Sequence, residues 1–121
     1  MQYMLLIYSS EEAWESLSED EQKAAYGEYM KLGDDLREKG AFVSADQLQD
    51  VDAATTLRIR DGESLISDGP FTETKETLGG YYLIEAESLD EALQWAARVP
   101  AARSGAVEVR PVVMRPAEVS A

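Results

Sequence analysis

The chain has 121 residues, 45% of them hydrophobic, which is material for one domain and excludes a multidomain enzyme built on a large open sheet. Its 24 acidic residues against 11 basic ones leave a formal net charge of −13. That excess speaks against direct nucleic-acid binding and against an anionic membrane surface, because both rely on Lys and Arg. Histidine and cysteine are both absent, which excludes disulfides, thiol nucleophiles, imidazole bases and the common zinc sites, so no metal or cofactor is expected.

Residues 2–8 are nearly all apolar or aromatic without alternation, the pattern of an inner strand covered on both faces. This opening lacks a basic leader, its apolar run is too short for a signal peptide, and a cytoplasmic protein without membrane spans is expected. Residues 11–17 read as a loop or short helical turn carrying Trp14. Ser18 with Glu21 has the spacing of a capping box, Ala25, Tyr29, Leu32 and Leu36 form a helical stripe, and Gly40 marks the stop, which predicts a helix over 19–39. A strand follows over 41–48, then a polar connection over 49–53. Residues 55–60 alternate, Asp61-Gly62 is a hairpin turn, and 63–67 is the returning strand, closed by Asp68-Gly69-Pro70-Phe71. Residues 72–77 are irregular, and 78–85 is a second strand apolar on both faces. Ser88 and Glu91 repeat the capping-box spacing for a helix that Pro100 stops, and 107–114 is a last strand, whose Pro111 places it at an edge or lies just past its paired part.

The order is β-α-β-(β-β)-β-α-β, an α+β arrangement that becomes ferredoxin-like once the central hairpin is removed. It spans one domain over 1–114, with a short C-terminal tail over 115–121. Two helices cover one sheet face, while the runs Tyr3–Tyr8 and Tyr81–Ile84 supply apolar side chains to both. A homodimer packed sheet on sheet is therefore expected, the alternative being cover by Trp14 and the segments 49–53 and 72–77.

Longer motifs run through the chain: Met-Leu-Leu-Ile-Tyr at 4–8, Asp61-Gly62-Glu63, Asp68-Gly69-Pro70-Phe71-Thr72-Glu73-Thr74-Lys75-Glu76, Leu78-Gly79-Gly80-Tyr81-Tyr82-Leu83-Ile84, and Val107-Glu108-Val109-Arg110-Pro111. On these residues the sequence resembles the YCII-related family in its DGPF-motif branch, over about residues 1–114. The resemblance implies a ferredoxin-like subunit that forms a dimeric α/β barrel with a cleft between sheet and loops. It also implies a branch without established biochemistry, some of whose relatives accompany bacterial sigma factors, which points to a protein partner in transcription regulation. The other branch has been proposed to use a His–Asp pair. Asp68 matches the aspartate there, but this chain has no histidine.

Asp68 has two readings: a general acid or base in an apolar cleft, or a turn residue whose carboxylate accepts from the Phe71 or Thr72 amide, which is the commoner role before Gly-Pro. Ligand-binding candidates are Asp68, Gly69, Pro70, Phe71, Lys75, Tyr8, Tyr82 and Arg58. Lys75 or an inward arginine would suit an anionic small molecule, and the aromatic residues an apolar one. Gly79-Gly80 offers close approach to a ligand, a neighbouring strand or a second subunit. The reading that results is a small-molecule-binding or sensing homodimer, with a cofactor-free enzyme using Asp68, or a structural and protein-interaction subunit, as the alternatives.

Overall fold

The computed structural model of the chain describes residues 1–115. Its elements are β1 (Gln2–Ser9), α1 (Glu11–Glu15), α2 (Glu19–Glu38), β2 (Phe42–Gln47), β3 (Thr55–Arg60), β4 (Glu63–Asp68), β5 (Thr77–Glu85), α3 (Leu89–Ala96) and β6 (Ala106–Pro111), with 3-10 turns at Val51–Ala53 and Pro100–Ala102. The order along the chain is the one read from the sequence, with α1 added. Residues 116–121, nearly all of the expected tail, lie outside the described residues.

Local chemistry sets the helix ends. The Ser18 hydroxyl accepts from the Glu21 amide (3.1 Å) and the Ser18 amide donates to the Glu21 carboxylate (3.0 Å), so the predicted capping box is complete. At the other end of α2 the Ala41 amide donates to the Leu36 carbonyl (2.8 Å) and the Gly40 amide to that of Arg37 (3.0 Å), a Schellman closure. The box at α3 is half formed. Ser88 accepts from the Glu91 amide (3.1 Å), while the Glu91 carboxylate takes the amide of Glu87 (3.2 Å), one residue before the cap.

Four strands form one antiparallel sheet in the order β2-β5-β1-β6. Tyr3 lies opposite Ile84, and Leu5 opposite both Tyr82 and Val109, so these side chains share a face. On that face Leu32 and Leu36 of α2, Ala92 and Ala96 of α3, and Val99 complete the core, in which Leu5, Leu32, Leu36, Ile84 and Val99 are fully buried. Arg37 stacks over the Phe42 ring at 4.2 Å and ties the end of α2 to β2.

The other face corrects the reading of β1 and β5 as strands covered on both sides. Met4, Leu6, Tyr8, Tyr81 and Leu83 point away from the core and are only half-buried. Their apolar character hid the period-2 alternation that burial reveals. Trp14 does not cover them: it packs edge-on against Tyr26 of α2, with ring centroids 5.2 Å apart.

The expected fold class also needs correction. The ferredoxin-like subunit was expected to form a dimeric α/β barrel, but no sheet among the described residues is closed into a barrel. The fold is a mixed α/β one, with an open four-stranded sheet and a separate two-stranded sheet. Closing a barrel requires its edges to pair around a filled interior, about eight strands in the smallest common cases. Here β2 and β6 remain edges. β2 carries a bulge between Phe42 and Ser44, and β6 ends on Pro111, which has no N–H to offer a ladder.

The second sheet is the β3–β4 hairpin, turned by Asp61 (φ 53°) and Gly62 (φ 79°), the positive pair of a type I′ turn. All of its strand residues except Thr56 are exposed. Its base is tied by the Gly69 amide to the Ala54 carbonyl (2.7 Å) and by the Thr56 hydroxyl to the Gly69 carbonyl (2.8 Å). No helix among the described residues is long and apolar enough to cross a membrane.

Candidate functional site

At the end of the sheet where β1 finishes and β5 and β6 begin, the surface falls into an open depression of about 690 Å³. Tyr8 and Ala106 form its strand wall, Ser10 and Ala13 belong to the entry into α1, Ser104 comes from the turn after α3, and Thr74, Lys75 and Glu76 come from the loop before β5. Side-chain and backbone hydrogen bonds hold this corner. The Thr74 hydroxyl donates to the Glu76 carbonyl (2.6 Å), and the Gly105 amide donates to the Ala101 carbonyl (2.7 Å). Gly105 also lies against the end of β1, where a Cβ would collide with the Tyr8 carbonyl oxygen.

A second hollow of about 390 Å³ lies between α1, α2 and the Pro100–Ala102 turn. Trp14, Leu17, Ala25 and Tyr29 give it apolar walls, and Arg103, paired with Glu28 at 2.9 Å, sits among its lining residues. Ala13 and Ser104 line both hollows. Burial pushes the Tyr29 hydroxyl above the usual phenol range, partly offset by the Ala101 backbone and by Arg103. Lys75 has no carboxylate within ion-pair distance among the described residues, whereas Arg98, Arg103 and Arg110 are engaged with Asp35, Glu28 and Glu108.

The residues named from sequence part company here. Tyr8 and Lys75 meet across the depression. Tyr82 does not join them, because it occupies the opposite sheet face, where its hydroxyl donates to the Tyr29 carbonyl (3.1 Å) and burial pushes it up to about 12. Arg58 lies on the exposed hairpin, opposite Leu65. Asp68 ends β4 opposite Thr55 and is exposed; among the described residues its carboxylate accepts no hydrogen bond from Phe71 or Thr72. The turn after it depends on Gly69, whose φ of +93° suits a residue without a Cβ. Pro70 is half-buried and Phe71 is 74% exposed. Of the glycine pair, Gly80 serves a neighbouring strand: a Cβ there would lie 2.9 Å from the Asp46 carbonyl of β2.

Ser10, Ala13, Ser104 and Ala106 escaped the sequence reading. They are small residues brought together only by the ends of β1 and β6. Gly105, set directly before an apolar strand, was the one local signal of close backbone approach at this corner.

An acidic corner lies where the start of α1 meets the Val51–Ala53 turn. Glu11 is held above the usual carboxylate range, chiefly by the charge of Asp50, then by burial and by Asp52 and Glu15. No group of three or more acidic side chains among the described residues is arranged to hold a metal ion.

Fold and site together define a small α/β protein with an open sheet and a polar end-of-sheet hollow beside an apolar one. Residues 1–115 match the family of the YCII-related domain. An uncharacterised protein of Rhizobium meliloti (strain 1021) is 37% identical over 116 residues, covering 94% of each chain. The chain belongs to the YCII-related family.

Proposed function

We propose that the chain is a small-molecule-binding protein that works as a homodimer, with the Tyr8–Lys75 depression as its ligand site. The observation that carries the reading is the juxtaposition of the two hollows. Lys75, free of a carboxylate partner among the described residues, stands at the polar one, and Trp14, Leu17 and Tyr29 line the apolar one beside it. That arrangement suits a ligand with an anionic head and an apolar body, the first met by the ammonium and by the Ser10 and Ser104 hydroxyls, the second by aromatic walls. Asp68-Gly69-Pro70-Phe71 supports placing the chain in the DGPF-motif branch, and a sensing role beside a bacterial transcription factor is compatible with such a site. The exposed position of Asp68 on the hairpin gives the acid–base reading no enclosed setting, so binding is favoured over catalysis.

The homodimer rests on the uncovered sheet face. Met4, Leu6, Tyr8, Tyr81 and Leu83 make a contiguous apolar surface that a second copy can shelter. The test of the ligand site is a thermal-shift screen with small carboxylates and phosphates carrying aliphatic or aromatic groups. A hit should raise the melting temperature of the native chain and lose its effect in Lys75→Ala, whose exposed side chain leaves the unliganded melting temperature unchanged. Equal shifts in native chain and variant would contradict the site.

A further inference from the structure

We infer that Tyr29 is a specificity-determining residue of the ligand site, and that the apolar body of the ligand carries a neutral carbonyl to which the Tyr29 hydroxyl donates; the inference rests on the small-molecule reading above. Two phenols lie between the sheet and α2, and they are used differently. The Tyr82 hydroxyl donates to the Tyr29 backbone carbonyl (3.1 Å), so its proton is spent inside the fold. The Tyr29 hydroxyl donates to no acceptor among the described residues. It is not sealed off either, since no side-chain oxygen among the described residues is buried without a partner. The groups that act on this phenol are the Ala101 backbone, Arg103 and Glu28, and all three residues line the apolar hollow. A half-buried hydroxyl with an unspent proton therefore stands in a hollow whose walls are otherwise mostly apolar, and a ligand that fills the hollow without an acceptor leaves that proton unpaired.

The charges around the hollow select the class of acceptor. Glu21 and Glu28 are both lining residues, and Arg103 pairs with Glu28 at 2.9 Å. The Glu21 carboxylate takes the Ser18 amide (3.0 Å) but has no cation within ion-pair distance among the described residues. A second anion on the ligand would meet that uncompensated charge, whereas a ketone or amide carbonyl would not. Ala13 and Ser104 line both hollows, so one molecule spanning them sets its anionic head at Lys75 and its carbonyl at Tyr29. The ligand class is a monoanion whose aliphatic or aromatic body carries a carbonyl.

The test is titration calorimetry at neutral pH with two probes of nearly equal shape, para-acetyl-phenylpropionate and para-isopropyl-phenylpropionate, of which the first alone carries the carbonyl. The acetyl probe is expected to bind the native chain about three- to tenfold more tightly, the range of one neutral hydrogen bond. Tyr29→Phe keeps the ring and the backbone carbonyl that Tyr82 uses, so it should melt with the native chain. In that variant the preference is expected to vanish while the isopropyl probe binds as before. Lys75→Ala should weaken both probes alike and keep the preference. A preference that survives Tyr29→Phe, or equal binding of both probes to the native chain, overturns the inference while the ligand site stands. A native chain that binds neither probe overturns both.

Discussion

The two sheets are built from strands of similar length by similar rules, yet one is the core of the molecule and the other barely touches it. β1 and β5 are apolar at almost every position, and half of those side chains are sealed beneath α2 and α3. β3 has the cleaner alternation, Asp61-Gly62 gives its hairpin with β4 the stronger turn, and almost all residues of the two strands are exposed. Turn chemistry and β-propensity are enough to specify a hairpin, but burial decides whether it becomes part of a core. The contrast also separates two kinds of apolar residue: those that stabilise the subunit, and those kept for a surface.

Truncations give the largest test of that contrast. Leu36→Ala in the core should cost about 2–5 kcal/mol in denaturant unfolding, while Ile59→Ala on the hairpin should change subunit stability by no more than about 0.5 kcal/mol. Equal costs would mean that the hairpin is packed within its own subunit. Gly105→Ala sharpens the comparison at the corner where β1 and β6 meet. Its Cβ would press on the Tyr8 carbonyl, and a loss of about 1–3 kcal/mol is expected, with weakened ligand binding at the depression. Ser18→Ala, which removes one half of the capping box on α2, should cost about 1 kcal/mol.

The smallest effect is one of pH. Arg98 beside Asp35 holds that carboxyl below its usual range, and the Ser18 backbone does the same for Glu21. Their contribution is complete above the ordinary carboxylate range and is lost as the pH falls through their lowered values. Glu11 runs the other way. Its raised value means that its charge destabilises the fold at neutral pH, and protonation relieves this as the pH falls through that raised value. Glu11→Gln should therefore raise the melting temperature slightly at pH 7 and leave it unchanged near pH 3. A variant that melts lower at pH 7 would contradict the repulsion from Asp50.

Most of the fold could be read from the chain because the signals were local. Ser18 with Glu21, Gly40, Asp61-Gly62 and Pro111 each act within a few residues of where they stand. What could not be read was set by distant contacts. Tyr81 and Tyr82 are adjacent and chemically alike, and only pairing with β1 decides that Tyr82 turns inward to Tyr29 while Tyr81 turns outward to Asp46. The same holds for the depression, where Lys75 and Tyr8 were visible as candidates but Ser10, Ser104 and Ala106 carry no local mark. Closure into a barrel was read from resemblance, and the bulged and proline-ended edge strands do not provide it.

The uncovered sheet face is the feature on which assembly depends, and its most direct test is sedimentation equilibrium of the native chain at micromolar concentration and moderate salt. A species of twice the chain mass, tightening as salt screens the −13 charge, is the expected result. A single monomeric species at every concentration and salt, with the Tyr81 and Leu83 amides and side chains as protected as those of Leu5, would contradict it.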